Sequence, residues 1–334
     1  MALAAPFTLG NTLRILGRNG LFLKGPAVVE RLAKVDTLVF DKTGTLTHSG
    51  VAGVNYVGQA IATADQVRIR SLLRQSTHPL SRQLFSGLGG KADLEVQDFQ
   101  EILGSGLSAK VDQKQVLLGS ASYVGTSAEE NGQGSKVYVS IDGEVKGNYQ
   151  LANAYREGLP ILLGQLEADY DLALLTGDTA GEQQHLQRIF PKKSALRFQQ
   201  SPQDKLDYIR ERREAGDTVL MIGDGLNDAG ALQQSNVGIA VAEDIAAFTP
   251  ASDAILAAAS FSKFQKFLRF SQTSIGIIRA SFVLSLLYNI VGLGFAVTGN
   301  LSPLVAAVLM PASSVSVIVF TTVLANVFAW RRGL

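Results

Sequence analysis

From Ala280 to Trp330 the sequence contains no Asp, Glu, Lys or Arg. That run is about twice the roughly 20 residues needed to cross a bilayer. Gly299-Asn300-Leu301-Ser302-Pro303 interrupts it near the middle, as a tight turn does. Two antiparallel membrane helices are therefore expected, roughly 278–298 and 303–328. The alternative is a single, very hydrophobic soluble hairpin. Lys266, Arg269 and Arg279 precede the pair and Arg331 and Arg332 follow it, which puts both ends on the cytoplasmic side.

The remaining sequence is long enough for further domains, the whole chain being 334 residues. A net charge of +1 gives no sign of a nucleic-acid surface. Cysteine is absent, which excludes disulfides, CxxC metal sites and thiol catalysis. Met1 to Leu16 is apolar and helix-compatible but too short to span, and it lacks the features of a secretory signal. It reads as the second half of a membrane helix.

Between these ends the pattern is α/β. Leu172-Ala173-Leu174-Leu175, Thr218-Val219-Leu220-Met221-Ile222 and Val237-Gly238-Ile239-Ala240-Val241 read as strands separated by helical stretches such as 204–215. They predict a doubly wound parallel sheet. Residues 48–150 differ in texture, being rich in Gly, Ser and Gln. Val137, Val139 and Ile141 alternate there, and Asp142-Gly143 forms a hairpin turn before Val145. They predict an inserted α+β domain. The expected division is 1–24 as helix end and linker, 25–47 and 151–270 as the two parts of the sheet domain, 48–150 as the insertion, and 271–334 as the membrane pair.

The chemistry concentrates at strand ends. Asp41-Lys42-Thr43-Gly44-Thr45-Leu46-Thr47 follows Val35-Asp36-Thr37-Leu38-Val39-Phe40, a run typical of a buried strand. A carboxylate at the carboxyl end of a parallel strand faces the crevice where such sheets do chemistry. Asp41 is the candidate nucleophile, with Lys42 and Thr43 in its loop. In Thr176-Gly177-Asp178, the Thr176 hydroxyl can donate to a phosphoryl group and Gly177 permits close approach. Lys205 offers a point positive charge. Asp224 and Asp228 are hard oxygen ligands suited to Mg²⁺, with Asp41 and Thr43 completing the candidate set. No GxxxxGK[ST] loop is present, so a P-loop nucleotide site is excluded.

The heptapeptide at Asp41 and the motifs through Asp228 resemble those of P-type ATPases, in which the Asp becomes an aspartyl phosphate. The resemblance implies a haloacid-dehalogenase-like catalytic domain using ATP and Mg²⁺. Phosphatases of that wider superfamily usually place a second Asp two residues after the nucleophile. Thr43 stands there instead and cannot act as general acid or base, so the phosphoenzyme is expected to be long-lived. Ser76-Thr77-His78-Pro79-Leu80 and Gly104-Ser105-Gly106 resemble the nucleotide signatures of the heavy-metal subgroup. By that resemblance His78 orients adenine, and Gly104 and Gly106 make room for the nucleotide. Thr77 replaces the usual Glu, Leu73 stands where an acidic residue is often seen, Ser120 replaces a frequent Asn, and Gly230 replaces a frequent Pro. The base pocket is therefore expected to be altered.

Tyr288-Asn289 and Met310-Pro311-Ala312-Ser313-Ser314 resemble the membrane signatures of copper(I)-type ATPases. Met310, Ser313 and Ser314 share one helix face, and a thioether favours a soft ion. Cu(I) is favoured, with Ag(I) not separable from it, and Tyr288, Asn289, Met310, Ser313 and Ser314 are the candidate ion ligands. The bland alternative is that Met fills a packing gap and the Ser side chains bond a neighbouring helix. Gly225-Leu226-Asn227-Asp228-Ala229-Gly230-Ala231-Leu232 and the Leu301-Ser302-Pro303-Leu304 and Leu309-Met310-Pro311 segments resemble copper ATPases that supply cbb(3)-type oxidases. Leu3-Ala4-Ala5-Pro6 resembles the flank of a Cys-Pro-Cys metal site. The resemblance thus implies a C-terminal portion whose Cys-Pro-Cys helix, earlier spans and actuator domain lie before Met1. The location implied is a bacterial cytoplasmic (inner) membrane, multi-pass in membrane lipid, with the catalytic domains in the cytoplasm. Two other functions compete with copper export: a membrane-tethered phosphatase of the same superfamily, and a regulatory subunit that senses nucleotide without catalysis.

Overall fold

Leu38, Val39 and Phe40 are wholly buried, as a parallel strand covered on both faces requires. The structure is a computed structural model and describes residues 4–48, 53–102, 104–127, 135–152, 155–178, 180–225, 227–243, 251–298 and 303–334. Among these, thirteen strands follow in chain order: β1 (Leu21–Leu23), β2 (Thr37–Asp41), β3 (Gly53–Gly58), β4 (Val96–Ile102), β5 (Gly106–Val111), β6 (Lys114–Gly119), β7 (Ser135–Ile141), β8 (Glu144–Ala152), β9 (Asp171–Leu175), β10 (Ala195–Arg197), β11 (Val219–Gly223), β12 (Val237–Ala242) and β13 (Ala254–Ala257).

The chain forms two compact units. The first comprises 1–46, 157–178 and 187–334 and contains a seven-stranded sheet of order β1-β13-β12-β11-β2-β9-β10. Only β1 runs antiparallel to its neighbour. This is the doubly wound α/β sheet of a haloacid-dehalogenase-like fold, and β2 lies in its interior between two later strands, β11 and β9. Val39, Leu175, Met221, Ile209 and Leu232 belong to a core that joins the sheet to the helices Pro202–Glu214 and Ala229–Gln234.

Two long helices follow, Phe264–Val297 and Pro303–Arg332. The first begins well before the expected residue 278. Its early part buries Phe264, Phe267, Phe270 and Ser274, so the basic residues Lys266 and Arg269 ride on the other face of a helix already formed. Its later part exposes Phe282, Leu286, Leu287, Ile290 and Leu293, and the second helix exposes Val315, Val319, Val323 and Trp330. Both helices are long and apolar enough to cross a membrane, and apolar surface on that scale suits lipid or neighbouring apolar helices. The helix Ala4–Arg18 packs beside both, with the Thr12 hydroxyl donating to Ser274 Oγ at 2.9 Å and Arg14 to Asn326 Oδ1 at 2.9 Å. The turn expected at 299–303 lies outside the described residues up to 302.

The second unit comprises 47–156 and 179–186. It holds an antiparallel sheet of order β3-β8-β7-β6-β5-β4, with the helices Thr63–Leu73 and Pro79–Gly87 packed on it. Its own core includes Ile69, Leu72, Val116, Val139 and Tyr149. The unit extends past the expected limit of 150 because β8 runs to Ala152 and Tyr155 bridges back to Thr47. Residues 271–334 do not separate from the sheet unit, because the first half of the long helix is part of its core.

Candidate active site

Asp41 is the last residue of β2 and is 5% exposed. It pairs in register with Leu175 of β9, and the preceding Phe40 pairs with Ile222 of β11. The register sets the ends of β2, β9 and β11 side by side, so Asp41, Thr176 and Gly223 leave the sheet together. Beyond Asp41 the backbone turns at Thr43 (φ −77°, ψ 125°) and Gly44 (φ 73°, ψ −8°). These angles describe a type II turn, whose third residue needs a positive φ that glycine adopts without strain.

Lys205 comes from the first turn of the helix Pro202–Glu214. That helix starts where it does because Ser201 and Asp204 form a capping box and Pro202 occupies the first turn. The Lys205 ammonium is buried and donates to Asp41 Oδ1 at 2.6 Å and to Asp228 Oδ1 at 2.7 Å. Asp228 is also buried, and its second oxygen, Oδ2, has no hydrogen-bond partner among the described residues. Lys42, also buried, forms an ion pair with Asp178. The backbone N–H of Asp178 donates to the Thr176 hydroxyl at 3.2 Å, leaving that hydroxyl's own hydrogen to be donated. Asp224 accepts from the Asn227 backbone N–H at 3.1 Å and from Asn227 Nδ2 at 2.7 Å.

Negative charge is in excess here. Burial and then the nearby Asp228 carboxylate push Asp41 up to about 7, although Lys205 pulls the other way. Asp228 is likewise raised by burial, against the opposing pull of Lys205. Burial lowers Lys205, but the two carboxylates outweigh it and leave the ammonium more basic than usual. The unpartnered Asp228 oxygen and the suppressed ionisation of Asp41 fit a site that takes a divalent cation. Among the described residues, however, no three His, Cys, Asp or Glu side chains already surround a metal position.

Two residues were missed at the sequence level. At Gly223 a Cβ would sit 2.6 Å from Asp228 Oδ2, so this glycine makes space for the carboxylate. Asn227 holds Asp224 in place. Both lie between 223 and 228, where Asp224 and Asp228 stand out for their charge. At Gly177 a Cβ would meet only the Gln200 carbonyl, at 3.4 Å, which is ordinary contact. The protein's own packing therefore leaves room for a side chain at this position.

In the inserted unit, His78, Gly104 and Gly106 line one cavity of about 290 Å³ together with Glu101, Ser120 and Lys136. His78 caps the helix Pro79–Gly87, its Nδ1 accepting from the Leu80 N–H at 3.3 Å. Gly104 has φ +75° and open space around its missing Cβ. Gly106 differs from expectation. A Cβ there would lie 2.2 Å from the Leu118 carbonyl oxygen, so strand pairing with β6 already demands this glycine. Leu73 also lines the cavity, as an apolar wall.

In the membrane helices, Tyr288, Asn289 and Ser314 are exposed and Ser313 is half-buried. The Tyr288 hydroxyl accepts from Ser316 Oγ at 3.3 Å, which joins the two helices at this depth. Pro311 lies inside the second helix, one residue from Met310, whose side chain lies outside the described residues.

Residues 35–236 match the model of a family described as haloacid dehalogenase-like hydrolase. A probable copper-exporting P-type ATPase V of Mycobacterium tuberculosis is 29% identical over 318 residues, covering 90% of this chain and 41% of the relative. A copper-exporting P-type ATPase of Staphylococcus saprophyticus is 26% identical over 334 residues, covering 95% of this chain and 41% of its own length. The chain thus spans about 41% of the length of these curated relatives. The solved catalytic CPx-ATPase domain CopB-B is 27% identical with a TM-score of 0.61, covering 78% of this chain and 98% of that one. A zinc-transporting PIB-type ATPase in its E2.Pi state shares the fold at a TM-score of 0.67 and 23% identity, over 98% of this chain and 55% of that chain.

Proposed function

The chain belongs to the haloacid dehalogenase-like hydrolase family, and from that premise we propose that it accepts the terminal phosphoryl group of ATP on Asp41, as the catalytic and membrane portion of a P-type ATPase exporting Cu(I). The observation that carries this proposal is the Lys205 ammonium held between the carboxylates of Asp41 and Asp228. An Asp41 oxygen attacks the γ-phosphorus in line, the bond to the bridging oxygen breaks, and ADP leaves. Lys205 keeps one Asp41 oxygen fixed and offers its charge to the incoming phosphoryl oxygens, and the Thr176 hydroxyl donates to them. Mg²⁺, held by Asp41, Asp224, Asp228 and the Thr43 position, would neutralise phosphate charge. Thr43 brings no general base, so the acyl phosphate persists until another domain directs water to it.

His78 and Gly104 support nucleotide binding in the inserted unit, where both line a cavity with polar groups at few points. The names of the similar proteins support a transported metal. The soft Met310 position, with Ser313 and Ser314 on the same helix, Tyr288 and Asn289 on the other, and no Asp, Glu, Lys or Arg between Ala280 and Trp330, supports Cu(I), with Ag(I) sharing its chemistry. The setting inferred is the bacterial cytoplasmic membrane, crossed more than once. An actuator domain and further membrane helices are the inferred partners that complete the cycle.

The test is incubation with γ-labelled ATP and Mg²⁺ followed by acid quench. The expected result is an acid-stable, hydroxylamine-labile label that Asp41→Asn lowers by about 10⁵-fold or more, the scale seen when a nucleophile is removed. Rapid phosphate release with no label at any time would instead favour a phosphatase.

A further inference from the structure

Glu101 stands in the wall of the inserted unit's cavity, and we propose that it reads the 6-amino group of adenine and so selects adenine nucleotides at this site. The inference rests on the nucleotide reading of that cavity given above. Much of the lining is apolar, including Leu73, Leu107 and Val137, which suits the faces of a purine. Among the described lining residues Glu101 is the only carboxylate, and Lys136 the only Lys or Arg.

Glu101 is held where it stands. The Ser76 hydroxyl, itself 5% exposed, donates to Glu101 Oε1 at 3.0 Å. Ser76 Oγ in turn accepts from the His78 backbone N–H at 3.1 Å. One buried hydroxyl therefore ties the carboxylate to the residue that carries the imidazole. Ser76 lies just ahead of the helix Pro79–Gly87, and Glu101 lies on the edge strand β4, so two separate elements converge on this end of the cavity.

The chemistry then settles which part of a nucleotide faces Glu101. A triphosphate is repelled by a carboxylate, so the phosphates lie away from it, and Lys136 is the cation of the described lining that can receive them. The base is left at the Glu101 end. An ionised carboxylate only accepts hydrogen bonds. The 6-amino group of adenine donates at this edge, whereas a purine lacking that amine offers nothing and a 6-oxo purine presents another acceptor. A hydrogen bond from the amine to Glu101 is charge-assisted and correspondingly strong.

Calorimetric titration of the full chain in detergent with ATP and with purine riboside triphosphate, which lacks only the 6-amino group, tests the assignment. ATP is expected to bind roughly tenfold or more tightly than the analogue. Glu101→Ala is expected to bring the ratio near one by weakening ATP alone, while Glu101→Gln, still an acceptor, retains part of it. A carboxylate that only supported Ser76 would weaken both nucleotides equally. Equal affinity in the unaltered chain, or a ratio that survives Glu101→Ala, overturns the assignment and leaves nucleotide binding standing. If neither nucleotide binds, both readings fall.

Discussion

At the residue scale the site is a balance of buried charges. Lys205 counters two carboxylates, so replacing it leaves Asp41 and Asp228 buried without a counter-ion. Lys205→Met is expected to destabilise the protein by about 3–5 kcal/mol in denaturant titration under chelator, the cost typical of removing one partner from a buried ion pair. Asp41 carries the opposite expectation. Its folded value of about 7 lies above the ordinary 3.8. Its contribution to stability is therefore fully present below about pH 4 and lost as pH rises through about 7. In chelator, Asp41→Asn should melt higher than the unaltered chain by a margin that grows between pH 5 and pH 8; an equal margin at both would contradict the raised value. Asp41 and Asp224 stood out in the sequence as carboxylates following apolar strand runs, and Lys205 and Asp228 through the motifs they belong to; the structure brings Asp41, Lys205 and Asp228 together. The bridging of Asp41 and Asp228 by one ammonium was not legible there, because it depends on how a helix's first turn meets a strand end. Gly223 was missed because its role is defined by the atom it leaves out beneath Asp228.

At the scale of elements, local sequence rules place the site. The Ser201–Asp204 capping box fixes where the Lys205 helix begins, so Ser201→Ala should cost about 1 kcal/mol of stability in chemical denaturation. It should also lower the phosphorylation rate, since Lys205 lies in the turn the cap anchors. Loss of stability with an unchanged rate would show that the cap serves the helix alone. The strands β2, β9, β11 and β12 were readable as continuous apolar runs flanked by turn residues. The start of the long helix at Phe264 was not. Lys266, Arg269 and Arg279 break the apolar run, while the buried phenylalanines recur every three residues and make sense only against partners far away in sequence, the helices Pro26–Leu32 and Leu159–Leu166 that the long helix packs on. The end of the inserted unit was hidden for a similar reason: the Thr47–Tyr155 bridge joins residues more than a hundred positions apart.

At the scale of the whole molecule, the proposed phosphorylation site and the two helices long and apolar enough to cross a membrane share one unit. Arg269 anchors the long helix by donating to Asp169 at 2.8 Å, and Gln265 donates to the Gln165 carbonyl at 2.9 Å, both just ahead of β9. Ser281, wholly buried, marks the change from a helix face packed on protein to one that meets lipid. Ser281→Pro is expected to leave Asp41 labelling from ATP within about twofold, because the sheet is untouched, while breaking the helix at the boundary. In an assembly competent for metal uptake into vesicles, transport should fall tenfold or more; equal loss of labelling and transport would refute this division of labour. The consequence reaches beyond that one position. The 34 residues of Phe264–Val297 make a rod about 50 Å long with no proline in it. A rod clamped along half its length and unbroken by proline has no joint along it, so in the proposed cycle any turning of its clamped half reaches the far end undiminished.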